Sequence, residues 1–295
     1  MSSHAAASTE RPKAARTAAL ASLAMVAFAG NSLLCRAALG TQSIDAASFT
    51  TLRLLSGAIV LLLLARALPA SRAAAAPRDW IAALVLFGYA IAFSFAYASL
   101  TAGTGALILF GTVQATMFVA GLSSGERFGP VAWCGLAIAV AGVAWLVAPG
   151  VSAPDPLGAA LMAVAGVGWG AYSLRGRRLG DPVRMNADSF LRSSPLAVAT
   201  SAVLVLMRHV TPAGAALAIA SGALTSGIGY IVWYAALQGL TATRAAVIQL
   251  SVPVIAALGG VVFLLEPVSW RLVLSSVAIL GGIGMTLMRR ARAQP

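Results

Sequence analysis

Ten runs of about 20 mostly apolar residues follow one another along this chain, at 17–38, 46–65, 79–99, 102–123, 130–148, 156–175, 187–207, 212–237, 242–265 and 270–288. A helix rising about 1.5 Å per residue needs about 20 apolar residues to cross a hydrocarbon core about 30 Å thick. The runs are rich in Leu, Ala, Val and Gly and lack the period-two alternation of a membrane barrel, the other way to satisfy every backbone group in lipid. The expected fold class is therefore an all-α integral membrane protein with ten transmembrane helices. Composition agrees: 9% of residues are charged, against about 25% in soluble domains. The connections leave no room for a folded domain outside the bilayer.

A net charge of +12 raises the question of nucleic acid, but the cations crowd the loops on one side of the proposed membrane. Arg11, Lys13 and Arg16 precede the first span; Arg66, Arg72 and Arg78 follow the second; Arg175, Arg177, Arg178 and Arg184 follow the sixth; Arg289, Arg290 and Arg292 follow the last. Arg127 and Arg244 lie on the same side, whereas Arg36, Arg208 and Arg271 face the other way. This is a topology signal, and the positive-inside rule places both termini in the cytoplasm. The bilayer, and no nucleic acid, is the expected partner of that charge.

Residues 1–16 are expected to be a cytoplasmic tail without fixed structure, and 289–295 a short basic tail. The run after Arg16 with Ala27-Phe28-Ala29 imitates a cleavable signal, but apolar sequence continues to Leu39 and the segment has a counterpart later in the chain. Cys35 and Cys134 fall toward opposite membrane faces, and His4 and His209 stand apart, so neither a disulfide, a metal site nor a cofactor is expected.

The chain also matches itself. AGTGALILFGTVQATMFVAGLSSGE (102–126) lies over ATRAAVIQLSVPVIAALGGVVFLLE (242–266), bringing Glu126 onto Glu266; YASL (97–100) lies over YAAL (234–237), and Arg53 of LRLLSG falls on Arg192 of LRSSPL. The two units, 17–148 and 156–288, carry five helices each. An odd number forces the second unit to enter the bilayer from the opposite face, giving two inverted five-helix repeats, an architecture associated with alternating access.

With Gly125-Glu126-Arg127 after the fourth helix, Glu266 after the ninth, an Leu-Arg pair in the second and seventh, and GALTSGIGYIVWYAAL (222–237) in the eighth, the chain resembles the drug/metabolite transporter superfamily, EamA type. The resemblance covers about residues 17–288 and leans toward bacterial exporters of amino acids and related metabolites. It implies a location in the inner (plasma) membrane, and that helices one, three, four, six, eight and nine surround a central cavity. The chain departs from the repeat pattern at Gln114, opposite Val254, and at Val113, opposite Pro253.

A solute crossing the bilayer needs polar or aromatic partners near the midplane. The mid-span candidates are Asn31, Tyr89, Phe93, Gln114, Trp169, Tyr172, Tyr230, Trp233 and Gln249. Amides and aromatics suit a neutral or zwitterionic small molecule with an apolar body; no cluster of cations fits phosphates, and no mid-span carboxylate fits lipophilic cations. Arg53 and Arg192 are expected as symmetric gates, each closing on a carbonyl or an acid such as Asp45 or Asp188. Pro195 and Pro253 are expected hinges, since proline removes a backbone donor. Glu126 and Glu266 are expected to bond the N–H groups of the following helix.

With no ionisable acid or His at mid-span, gradient-driven export is favoured over proton coupling. The same absence speaks against an intramembrane enzyme; a lipid or lipid-linked-sugar flippase stays open as an alternative. The small face Gly135, Ala139 and Gly142 can pack within a protomer or between two, so monomer and homodimer are both compatible with it.

Overall fold

The computed structural model describes residues 14–68, 79–176, 181–240 and 244–287. The expected tail at 289–295 and most of that at 1–16 lie outside these residues, as do Arg72, Arg78, Arg177 and Arg178 of the charged loops. The described residues form helices joined by short turns, with no strand beyond one isolated bridge between Ile44 and Val210.

The helices are α1 (Ala14–Gly40), α2 (Ala46–Ala67), α3 (Trp80–Tyr97), α4 (Ala102–Ser123), α5 (Pro130–Val147), α6 (Pro156–Gly176), α7 (Pro182–Val203), α8 (Pro212–Leu237), α9 (Arg244–Leu264) and α10 (Trp270–Leu287). Among the described residues, nine are long and apolar enough to cross a membrane. The exception is α7, which has 22 residues but carries Arg184, Asp188 and Arg192. The expected span 187–207 is corrected here: the helix starts five residues earlier, because Asp181 caps it by accepting the Arg184 N–H and Pro182 sits in the first turn. Residues 205–207 form a separate short 3-10 turn.

The scarce acids are spent mainly on helix starts. Asp45, Asp79, Asp155 and Asp181 accept from the N–H of Ser48, Ala82, Gly158 and Arg184, each cap stabilising by about 1 kcal/mol. Trp80, Trp133, Trp145 and Trp270, exposed near helix ends, lie where the bilayer interface is expected, at both ends of the bundle.

Packing is symmetric under exchange of the repeats. Helix α2 packs on α7, α4 on α9 and α5 on α10, so each of these meets its own counterpart; α1 packs on α8 and α9 as α6 packs on α3 and α4. The counterparts run antiparallel. Thr51 at the start of α2 pairs with Ser201 at the end of α7 at 2.8 Å, while Arg184 at the start of α7 donates to the Ala65 carbonyl at the end of α2. Arg271 at the start of α10 likewise donates to the Ala148 carbonyl that closes α5. The second repeat is therefore inverted relative to the first.

Gly135, Ala139 and Gly142 pack inside the protomer, against α10. A Cβ on Gly135 would lie 2.5 Å from the Gly282 carbonyl, and one on Gly142 2.8 Å from Ile279. Close approach at small residues is how helices associate where lipid offers no hydrophobic drive.

Gly135→Ala is expected to lower stability by about 1–3 kcal/mol through overpacking. Gly284→Ala, where an added Cβ meets nothing within 4 Å, should be neutral; thermal unfolding in detergent compares the two.

Candidate central binding site

Aromatic rings from α1, α3, α6 and α8 converge at mid-bundle. Trp169 lies 5.1 Å from Tyr89 and 5.0 Å from Tyr230, ring centroid to centroid, and stacks on Tyr172 at 5.9 Å. Phe28 presents its edge to Tyr230 and Trp233, both at 5.9 Å, and Tyr89 meets Phe93 at 5.4 Å. Such pairs contribute about 0.5–1.5 kcal/mol each beyond burial. Phe28, Asn31, Ser32, Tyr89, Phe93, Leu109, Phe110, Trp169, Thr225 and Tyr230 enclose a cavity of about 20 Å³, roughly room for one water. The rings fill most of the centre.

The wall on α8 is locally remodelled. Over Ser221–Ile228 the helix is π-wound, a feature common at functional sites. Ser221 donates to Asn31 Oδ1 at 2.8 Å, and the Thr225 hydroxyl reaches the same oxygen at 3.3 Å. Gly222 lets the segment press on α2, since a Cβ there would collide with the Arg53 carbonyl and the Ser56 hydroxyl. Asn31 thus lines the cavity and also ties α1 to α8.

Of the expected site residues, Asn31, Tyr89, Phe93, Trp169 and Tyr230 line this cavity. Tyr172 and Trp233 form its second layer of rings; the Tyr172 hydroxyl donates to Asn186 Oδ1 at 2.8 Å and links α6 to α7. Gln114 lies elsewhere: it borders a separate cavity of about 260 Å³ between α4, α5 and α10, and its buried Nε2 has no partner. Gln249 lines neither cavity and ends the first part of α9. Phe28 was not among the expected residues, although it precedes Asn31 by three positions on the same helix face.

The two arginines expected as symmetric gates have different surroundings. Arg53 is 1% exposed and bonds no acid: Nε reaches Ser226 Oγ at 3.3 Å, Nη2 donates to the Tyr89 hydroxyl at 3.1 Å, and the guanidinium lies over the Tyr89 and Phe93 rings. Those hydrogen bonds and ring faces hold it there. Arg192 does meet Asp188, at 2.7 Å, but one turn away on its own helix, with its guanidinium over Trp80.

The two expected hinges differ from each other. Helix α7 runs through Pro195 unbroken, with Ser193 and Ser194 bonding back to the carbonyls of Ser189 and Phe190. Helix α9 breaks at Leu250, between Gln249 and Ser251; Pro253 cannot donate to the Gln249 carbonyl, and Ser251 bonds the Ile248 carbonyl instead.

Glu266 closes one end of the bundle. It caps α4, accepting the Ala102 N–H at 2.9 Å, and not the following helix as expected. It also pairs with Arg36 at 2.9 Å, while Arg36 Nη1 donates to the carbonyls of Tyr97 and Ala98. The clamp joins the ends of α1, α3, α4 and α9. At the opposite end Arg175, which corresponds to Arg36 in the second repeat, bonds Asp79 at 2.9 Å and 3.2 Å. The left-handed Gly125 and Leu265 precede the two glutamates at matched positions.

The profile of the EamA-like transporter family matches residues 15–148 and again 156–288. An uncharacterized protein of Pseudomonas aeruginosa is 52% identical over 281 residues, spanning 93% of this chain and 96% of its own. One crystal structure superposes with a TM-score of 0.64 at 21% identity, covering 91% of this chain and 99% of that one; it speaks to the fold alone.

Two outcomes follow from the clamped ends. A double-mutant cycle of Arg36→Gln and Glu266→Gln, read by unfolding in detergent, is expected to give a coupling of about 1–3 kcal/mol for this part-buried pair. At the other end, the Arg175 bond holds the Asp79 carboxyl below its ordinary value, against a smaller upward push from burial. Because the folded value is the lower one, that stabilisation is complete above about pH 4 and is lost as pH falls through it. Asp79→Asn should flatten the acid side of the stability profile.

Proposed function

Because the chain belongs to the EamA-like transporter family, we propose that this multi-pass membrane protein exports small solutes, chiefly amino acids with aromatic or other apolar side chains, by alternating access. The observation that carries the reading is the aromatic chamber where the two inverted repeats meet. Its walls offer ring faces, an amide and hydroxyls, which suit an apolar body with a polar head.

In this mechanism the loops rich in Arg lie in the cytoplasm, so the Arg36–Glu266 clamp seals the outer end. Exchange of the repeats' roles releases that clamp and moves Arg175 from Asp79 toward Glu126, its counterpart partner at the inner end. The broken α9 and the π-wound part of α8 are the elements with backbone slack for such a change. Each half then visits the arrangement its twin holds now.

A lipid flippase is the second reading, and the cavity of about 260 Å³ beside α4, α5 and α10, with Val140 exposed on its rim, favours it. Reconstituted liposomes separate the two. Labelled neutral amino acids should move, while organic phosphates, lipophilic cations and fluorescent lipids should not; lipid movement without amino-acid movement reverses the assignment. Trp169→Ala, which opens the centre of the ring cluster, is expected to cut amino-acid flux about tenfold or more at equal protein insertion.

A further inference from the structure

The centre of the bundle holds a cation that no acid balances. A guanidinium stays protonated in any protein setting, and burying it without a counter-charge is strongly unfavourable. The partners of Arg53 are all neutral: Ser226, the Tyr89 hydroxyl, and the faces of Tyr89 and Phe93. No ion pair involves it among the described residues, and its Nη1 is buried with no hydrogen-bond partner. Its counterpart Arg192, by contrast, carries Asp188 with it. Asp45, Asp79, Asp155, Asp181 and Glu266 stand at helix caps, and Asp188 is taken by Arg192 within α7.

Arg53 is also one ring away from the central cavity, because both rings it lies over, Tyr89 and Phe93, line that cavity. Gly222, pressed on the Arg53 carbonyl, fixes its backbone to α8. A charge held this firmly, with a donor left over, has the chemistry of an anion receptor.

We infer that Arg53 receives a carboxylate carried by the transported solute, and that the site excludes solutes bearing only a positive charge. The inference rests on the transporter reading and narrows its substrate class to carboxylates with an apolar body. On loading, the Tyr89–Phe93 pair gives up its place on the guanidinium, and the carboxylate takes the unused Nη1 together with a second N–H in the fork geometry Arg favours. Among the described residues no carboxylate lines the cavity, so the amino group of an amino acid rests on ring faces and is dispensable.

The test compares phenylalanine, 3-phenylpropionate and phenethylamine, three solutes sharing one apolar body, by calorimetric binding to the full chain in detergent. The two carboxylates should bind, and the amine about tenfold more weakly or worse. Arg53→Gln should lower carboxylate affinity about tenfold or more and abolish the discrimination, and Arg53→Lys should restore part of both. The wild-type series stands even if the Gln variant fails to fold. Amine binding within about threefold of the carboxylates, no carboxylate binding at all, or unchanged ranking in a folded Gln variant overturns the assignment. Carboxylate binding without movement into liposomes would instead sink the transporter reading and leave the receptor intact.

Discussion

Close approach of helix pairs at residues without side chains holds this bundle together. Lipid tails are as apolar as leucine, so burial of apolar surface alone does not bring one transmembrane helix to another. What remains is contact between backbones, and the structure makes it at Gly135 and Gly282 between α5 and α10, at Gly103 against Ala257 between α4 and α9, and at Gly222 against Arg53 between α8 and α2. The first two unite counterpart helices of the inverted repeats. The third sets the position of the buried arginine and hence the charge of the central chamber.

The symmetry so established is broken where chemistry is concentrated. Arg36 clamps Glu266 while its counterpart Arg175 holds Asp79; Arg53 is buried among rings while Arg192 lies on Trp80 beside its own acid. Among the described residues, helix α8 alone is π-wound and α9 alone is interrupted. Under the proposed alternating access, similar halves have to be asymmetric in either state, because one end closes when the other does not. Arg53 and Arg192, by contrast, differ in their whole surroundings, which marks them as different parts and not as one part seen in two positions.

How much was legible in the sequence depended on whether the signal was local. The apolar runs, the Glu126–Glu266 match and the aromatic positions of α3, α6 and α8 could be read directly, and five of the nine expected residues line the central cavity. The start of α7 was misjudged because hydropathy marks what lies in lipid, whereas Asp181 and Pro182 mark where the helix begins. Gln114 was misplaced because position along a span gives depth but not direction, and α4 turns that side chain toward α5 and α10. Phe28 was overlooked among the apolar residues of α1, though its spacing from Asn31 held the clue. Arg36 could have been found by the same shift of 139 residues that pairs Arg53 with Arg192.

By itself the sequence determined that the chain is a bundle of apolar helices, that it is built twice, and that five helices per copy invert the second copy, because helix length and parity follow from residue order alone. Only the tertiary structure decided that Arg53 points into the rings without an acid to balance it, that Glu266 caps α4 and not α10, and that the Gly135 face is spent inside the protomer. Those facts depend on which helix lies beside which and how each is rotated, and in an apolar segment nearly every face looks alike until a neighbour is packed against it.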